Sequence, residues 1–358
     1  VNNFHNIVVS QVYKETDDTT VVSFAVPQDI KKEFDYRAGQ FLTLRTTING
    51  EDLRRSYSLC SSPLDGEWKV AVKQIFEGKF STYINRELKV GDILQVAAPS
   101  GDFGIETMDA NQPKNYVAFA AGSGITPMLS IIKTHLAKEP NSKFKLFYLN
   151  KTVKSIIFKE EIESLKNKYL SRFEVFYFLS REHRDIDLFN GRFDKEKLQL
   201  LTKTLINAPY IDDAFICGPE EMIFLIRDEL VAAGMKKDHI HFELFVSGLS
   251  DADKARAAAA LDKKVEGVAV TIIDGSKEFH FVLDKQFDNV LDGAINAGAD
   301  LPFACKGGVC STCKCKVIEG SVAMKVNYAL TDEEVEKGFT LSCVSVPTSK
   351  KLVVSYDV

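Results

Sequence analysis

The chain has 358 residues, 45% hydrophobic and 27% charged, the balance of a soluble protein of two or three domains, which excludes a disordered or fibrous chain. Its net charge of −5 at pH 7 argues against general nucleic-acid binding, which needs a basic footprint. The apolar stretch 116–132 is broken by Gly122, Ser123, Gly124 and Pro127 and is shorter than the ~20 apolar residues of a membrane span. The first residues, VNNFHNIVVSQVYKE, lack the zones of a signal peptide, so a soluble cytoplasmic protein with no membrane partner is expected.

Residues 5–105 read as β-rich. Short alternating runs at 20–26, 40–46, 68–75 and 92–97 are separated by turn clusters such as Ile48-Asn49-Gly50 and Pro63-Leu64-Asp65-Gly66, a spacing that predicts an antiparallel barrel or sandwich. From 114 to 245, continuous apolar runs (116–121, 144–150, 173–179, 213–217) alternate with helical stretches (127–137, 155–169, 219–233), and 239–245 reads as one more strand. That alternation predicts a parallel sheet covered on both faces. Residues 247–267, SGLSDADKARAAAALDKKVEG, have no large apolar face and read as a flexible linker, with 257–261 able to form a helix. The remainder opens with two strands at 268–273 and 279–283 and a helix at 289–297.

Of seven cysteines, five fall after residue 300. Clustered cysteines in a chain of this kind point to metal or redox chemistry rather than to a disulfide scaffold. Cys305, Cys310 and Cys313, followed 30 positions later by Cys343, form C-x4-C-x2-C plus one distant cysteine. This is the plant-type spacing for a [2Fe–2S] cluster, in which four thiolates hold two irons. Gly307 and Gly308 give the loop the freedom to fold round inorganic sulfide. The alternative is a four-cysteine zinc site, which favours paired CxxC knuckles where only one is present. Cys315 reads as a small buried residue. Lys306, Lys314 and Lys316 flank the cluster; they read first as solvated lysines, with steering of an acidic partner as the alternative.

Two further signatures lie upstream. Arg55-Ser56-Tyr57-Ser58 forms an R-x-Y-S pattern, with Gly78-Lys79-Phe80-Ser81 before a helical stretch. An arginine offers a forked cation for a diphosphate, and a glycine at a helix start opens amide N–H groups to phosphate. Gly122-Ser123-Gly124-Ile125-Thr126-Pro127 sits where a strand becomes a helix, and its G-x-G-x-x-P departs from the G-x-G-x-x-G fingerprint.

Together these motifs, in this order, resemble the ferredoxin–NADP reductase superfamily with a C-terminal plant-type ferredoxin. The resemblance covers the whole chain and implies a multidomain fold: an FAD-binding antiparallel β-barrel (1–110), an NAD(P)-binding α/β domain (111–246), a linker (247–265) and an α+β, β-grasp-like ferredoxin domain (266–358). It implies FAD contacts at Arg55 (diphosphate), Ser56, Tyr57 (ring face), Ser58 (flavin edge), Lys73, Gly78, Lys79, Phe80 and Ser81. In Glu243-Leu244-Phe245, where related reductases set an acid and an aromatic by the flavin, Phe245 takes the place of the ring cover. The dinucleotide contacts implied are Gly122, Ser123, Gly124, Thr126, Cys217, Gly218 and Pro219, with Cys217 near the nicotinamide. No acid follows the second strand, and Ser180-Arg181 resembles the 2′-phosphate pair of NADP-dependent members, so NADPH is expected over NADH. The cluster falls to Cys305, Cys310, Cys313 and Cys343.

The order of parts resembles the reductase components of bacterial multicomponent oxygenases. Residues 305–317, 327–330 and 341–343 resemble the reductase subunits of phenylacetyl-CoA epoxidases. The function implied is electron transfer from NADPH through FAD and the cluster to a terminal oxygenase, with no side chain acting as acid or base. A reductase for another mono- or dioxygenase, or a zinc-stabilised, non-catalytic dinucleotide-binding module, are the alternatives.

Overall fold

A computed structural model describes residues 4–105, 108–245 and 251–357. The first segment forms a six-stranded antiparallel sheet from β1 (Phe4–Thr16), β2 (Thr19–Ala25), β3 (Phe41–Ile48), β4 (Glu51–Ser58), β5 (Trp68–Lys73) and, after helix α1 (Lys79–Arg86), β6 (Ile93–Ala97). The strand order is β4-β3-β6-β1-β2-β5, and a bridge between Leu59 and Val70 brings the end of β4 beside β5, so the two edges meet. Closure removes the unpaired backbone groups that an open edge exposes. Alternating residues such as Val22, Leu42, Leu44, Val70, Leu94 and Val96 fill the interior.

The second segment runs β7 (Asn115–Ala121), α2 (Ile125–Lys138), β8 (Lys143–Asn150), α3 (Lys159–Lys168), β9 (Phe173–Leu179), α4 (Lys195–Thr204), β10 (Asp213–Gly218), α5 (Glu220–Ala232) and β11 (Ile240–Leu244). Its strands are parallel, in the order β11-β10-β7-β8-β9. The chain winds outward from β7 one way and then returns to the other side, so the order reverses between β7 and β10. Pro127 stands in the first turn of α2, where its missing N–H breaks no helical bond.

One sequence expectation shifts here. Helix α3 starts at Lys159 rather than 155, because a capped turn at Thr152–Ser155 and a left-handed Phe158 (φ +59°) precede it. Helix α4 adds one more to the helical stretches exemplified in the sequence, between β9 and β10. The barrel and the nucleotide segment belong to one compact unit, comprising Phe4–Leu53 and Tyr57–Phe245.

The last segment carries α6 (Asp251–Leu261), β12 (Ala269–Asp274), β13 (Lys277–Val282), α7 (Val290–Asn296), β14 (Lys314–Glu319), β15 (Val322–Met324), α8 (Asp332–Glu336), β16 (Phe339–Leu341), β17 (Ser345–Pro347) and β18 (Lys351–Ser355). Its mixed sheet runs β13-β12-β18-β14-β16, with β12 and β18 parallel at the centre. Asn289 caps α7 by accepting from the Asp292 N–H. The stretch expected as a flexible linker is helical from Asp251, well before 257; its residues 247–250 lie outside the described ones. Among the described residues no helix is long and apolar enough to cross a membrane.

Candidate functional site

Open α/β sheets bind ligands beyond the carboxyl ends of their strands, where the strand order reverses. Here that point lies between β7 and β10, and the Gly122–Gly124 turn and the Cys217-Gly218-Pro219 corner both stand there. The two glycines of the turn differ. Gly122 has φ +53° and nothing within 4 Å of an added Cβ, so it faces open space where a pyrophosphate has room to approach. An added Cβ on Gly124 would lie 2.2 Å from the Cys217 carbonyl oxygen, so this glycine serves the packing of the turn on β10. Thr126 Oγ1 donates to the Ser123 carbonyl at 3.0 Å, and the Tyr148 hydroxyl donates to the Gly122 carbonyl at 2.9 Å, fixing the turn from both sides.

Cys217 is fully buried and pairs in register with Ala120 on one side and Glu243 on the other. Glu243 is half-buried near the end of β11, and its Oε2 accepts from Ser58 Oγ at 3.1 Å. Burial pushes its carboxyl up to about 7, with the Ser58 hydrogen bond pulling the other way. Burial, then the Glu243 charge, raises the Cys217 thiol. Phe245 follows, half-buried against the nucleotide-domain core. The strand ends thus assemble a thiol, a carboxyl of near-neutral pKa and a hydroxyl from the barrel.

On the barrel side, Tyr57 lies against Phe80, ring centroids 6.0 Å apart. Phe80 itself is buried in the barrel core, so its side chain has a packing role and only its amide remains a candidate contact. Gly78 caps α1, and a Cβ there would lie 2.3 Å from Ile75 Cγ1 and 2.6 Å from Ser81 Oγ. Ser81 Oγ accepts from Ile75 N–H and donates to the Gly78 carbonyl, so its hydroxyl shapes the turn. The first-turn amides of α1 precede its first helical bond, from the Thr82 N–H to the Gly78 carbonyl, and remain candidates to meet an anion. Two predicted cations are engaged elsewhere: Lys73 Nζ pairs with Asp18 at 3.2 Å, and Lys79 pairs with Glu51. Arg55 is exposed, donating to the Arg54 carbonyl at 2.7 Å, and Ser56 is half-buried. Ser180 Oγ donates to the Asn150 carbonyl at 3.3 Å, while Arg181 stands exposed beyond the end of β9.

Four of the five cysteines of the last segment converge. Cys305 is hydrogen-bonded to Cys310 and to Cys343, and Cys343 to Cys313. These bonds, with those from the Gly307 and Val309 amides, pull the Cys305 thiol well down. The Gly307 N–H lies 3.3 Å from Cys305 Sγ. Left-handed backbone at Lys306 (φ +51°), Gly308 (φ +73°) and Ser311 (φ +50°) curls the loop. Among the described residues no three His, Cys, Asp or Glu side chains are grouped as ligands of one metal ion. A two-iron cluster asks for two thiolates per iron, and the pairs Cys305–Cys310 and Cys313–Cys343 fit that requirement. Cys315 is fully buried in the core. Of the flanking lysines, Lys306 is paired with Asp292 at 2.7 Å and Lys314 with Glu334 at 3.1 Å, which weakens their reading as a free basic rim.

The acid at the end of the nucleotide domain is legible in Glu243-Leu244-Phe245, but its bond to Ser58, which joins positions 185 apart, has no local signal. Residues 6–105 match the oxidoreductase FAD-binding domain family, 119–228 the oxidoreductase NAD-binding domain family, and 272–348 the 2Fe-2S iron-sulfur cluster binding domain family. One subunit of the 1,2-phenylacetyl-CoA epoxidase of Escherichia coli K12 is 43% identical over 99% of this chain and 98% of its own length. The ferredoxin reductase component of the 3-ketosteroid-9-alpha-monooxygenase of Rhodococcus rhodochrous is 33% identical over 98% of this chain and 96% of its own. Phthalate dioxygenase reductase shares the fold, with TM-score 0.62 and 23% identity over 99% of this chain and 98% of that one. The chain belongs to the family of oxygenase reductase components, flavin and iron–sulfur oxidoreductases that carry FAD-binding, NAD-binding and [2Fe–2S] domains in one polypeptide.

Proposed function

We propose that this chain is the NADPH-dependent reductase of a phenylacetyl-CoA epoxidase, delivering electrons to that terminal oxygenase. The observation that carries the reading is the 43% identity to the Escherichia coli epoxidase protein over essentially both full lengths. The chemistry supplied by the bound groups is the conversion of paired electrons from a reduced nicotinamide into single electrons at the cluster. The chain's part is to bind, orient and exclude water. Tyr57 and Ser58 hold the face and edge of the flavin, and Arg55 with the first-turn amides of α1 holds its diphosphate. The Gly122 turn and the Cys217 corner receive the dinucleotide, and Cys305, Cys310, Cys313 and Cys343 hold the cluster. Arg181, exposed beside Ser180 at the end of β9, supplies the cation a 2′-phosphate needs, and this supports NADPH over NADH.

The test is reconstitution: the holoprotein with NADPH and the purified oxygenase component of the epoxidase should sustain phenylacetyl-CoA turnover. Equal or better support of a ketosteroid monooxygenase or a ring-hydroxylating dioxygenase, with none of the epoxidase, would overturn the choice of partner. A preference for NADH would overturn the choice of coenzyme alone.

A further inference from the structure

Helix α6 has the sequence DADKARAAAAL, without a large apolar face, yet part of it is buried. Among its residues whose side chains are described, Asp253 is 2% exposed and Ala260 5% exposed. Seven positions apart, they share one face two turns along the helix. Among the described side chains the buried ones are an alanine and a carboxylate, and a buried carboxylate is tolerated only where it has partners. Asp253 has them: Oδ2 accepts from the Tyr328 hydroxyl, and Oδ1 accepts from Arg256 Nη1 at 3.2 Å.

Tyr328 lies in a segment tied to both cysteine loops. Its N–H donates to the Gly308 carbonyl at 3.1 Å, between Cys305 and Cys310, and the Lys325 N–H donates to the Val344 carbonyl at 2.8 Å, next to Cys343. The segment is stiffened by Asn327, whose side chain bonds both the N–H and the carbonyl of Leu330 at 3.0 Å. Val326 closes on Gly308 so tightly that an added Cβ there would lie 3.0 Å from Val326 Cγ2.

We propose that Asp253 and Tyr328 are positioning residues for the iron–sulfur centre: the carboxylate on α6 holds residues 325–330 against both cysteine loops and so keeps the protein closed over the cluster. This rests on the assignment of the cluster to the four cysteines. Helix α6 is then part of the cluster's housing rather than a passive tether.

The experiment uses the full-length holoprotein and its Asp253→Asn, Tyr328→Phe and doubly substituted variants. Cluster absorbance is followed anaerobically in the presence of an iron chelator, and the electron paramagnetic resonance spectrum is recorded after dithionite reduction. Each single variant should lose its cluster about tenfold faster than the parent, the scale of one hydrogen bond to a charged group. The double variant should be no faster than the faster single, because both substitutions break one contact. The resonance should shift or broaden in all three. Arg256→Ala, which removes the exposed partner, should stay near the parent rate. Parental rates and spectra in both single variants, or rates that multiply in the double, would overturn the proposal. Should Asp253→Asn fail to fold, Tyr328→Phe, which keeps the ring, carries the test alone. The iron and sulfide content of the parent tests the cysteine assignment separately, so the two readings fail in different measurements.

Discussion

Ser58 Oγ donates a 3.1 Å hydrogen bond to Glu243 Oε2, joining the last residue of β4 in the barrel to the last strand of the parallel sheet. Because Glu243 also stands beside Cys217 in register, this contact brings a hydroxyl, a carboxyl and a thiol together at the carboxyl ends of the strands. It lies where the FAD-binding barrel meets the strand ends proposed to receive the nicotinamide.

The carboxyl of Glu243 is the titrating member of this group near neutrality. Burial raises its pKa to about 7, so the fold binds its proton more tightly than the unfolded chain does. Stability from this group is therefore highest at low pH, falls as pH rises from the ordinary carboxylate range to about 7, and changes little beyond. Glu243→Gln should flatten that part of the profile. The check is a set of melting curves for parent and variant between about pH 5 and pH 8. Identical slopes for the two proteins would show that Glu243 is not the group responsible. Ser58→Ala, which removes the hydrogen bond that favours the carboxylate, should move the parent's inflection to higher pH.

The two glycines of the β7–α2 turn should separate stability from binding. Gly124→Ala drives a methyl to within 2.2 Å of the Cys217 carbonyl oxygen, an overpacking worth about 1–3 kcal/mol, and should lower the melting temperature with or without nucleotide. Gly122→Ala meets no atom, so its structural cost is the left-handed backbone at φ +53°, about 1–2 kcal/mol. Its methyl points into the space proposed for the pyrophosphate, so the KM for the nicotinamide should rise. Titration of both variants with NADPH, alongside melting, checks this; an unchanged KM in Gly122→Ala would remove that glycine from the binding surface.

Local sequence carried much of this molecule because its chemistry is local. Cys305, Cys310 and Cys313 stand out by a spacing that suits a two-iron cluster, and the glycines at 122 and 124 declare a tight turn where strand meets helix. The bond between Ser58 and Glu243 left no local trace, since only the docking of the barrel on the nucleotide domain brings them together. Lys73 resembled a ligand contact in sequence, but Asp18, on the turn before β2, takes its ammonium. Phe80 stands in a phosphate-loop motif, yet its ring fills the barrel core. Of helix α6 only 257–261 is legible as a possible helix, for another reason: periodicity detects apolar faces, and a described buried position of this helix is a carboxylate.

Coenzyme choice should follow Arg181. Its guanidinium is exposed at the end of β9, beside a serine whose hydroxyl is spent on the Asn150 carbonyl, so the arginine is a charge available for a 2′-phosphate. A charge-assisted contact of this type makes Arg181→Ala lower kcat/KM for NADPH by about ten- to a hundredfold. The value with NADH, which lacks the phosphate, should change little. Steady-state rates with both coenzymes and an artificial one-electron acceptor measure the ratio. A ratio that stays put would assign Arg181 to the solvated surface.

The cysteines make the sharpest division between ligand and core. Cys343 is joined to Cys305 and Cys313, and Cys343→Ser replaces a thiolate donor with a poorly acidic hydroxyl, so iron and sulfide content should collapse. Flavin content and NADPH-driven reduction of ferricyanide should persist, because most of the barrel and the nucleotide segment, Phe4–Leu53 and Tyr57–Phe245, form one compact unit. Cys315, two residues from Cys313 and fully buried, gives the contrast. Cys315→Ala should keep the full cluster and cost about 1 kcal/mol of stability. Loss of the cluster from Cys315→Ala, with Cys343→Ser still loaded, would reverse the ligand assignment.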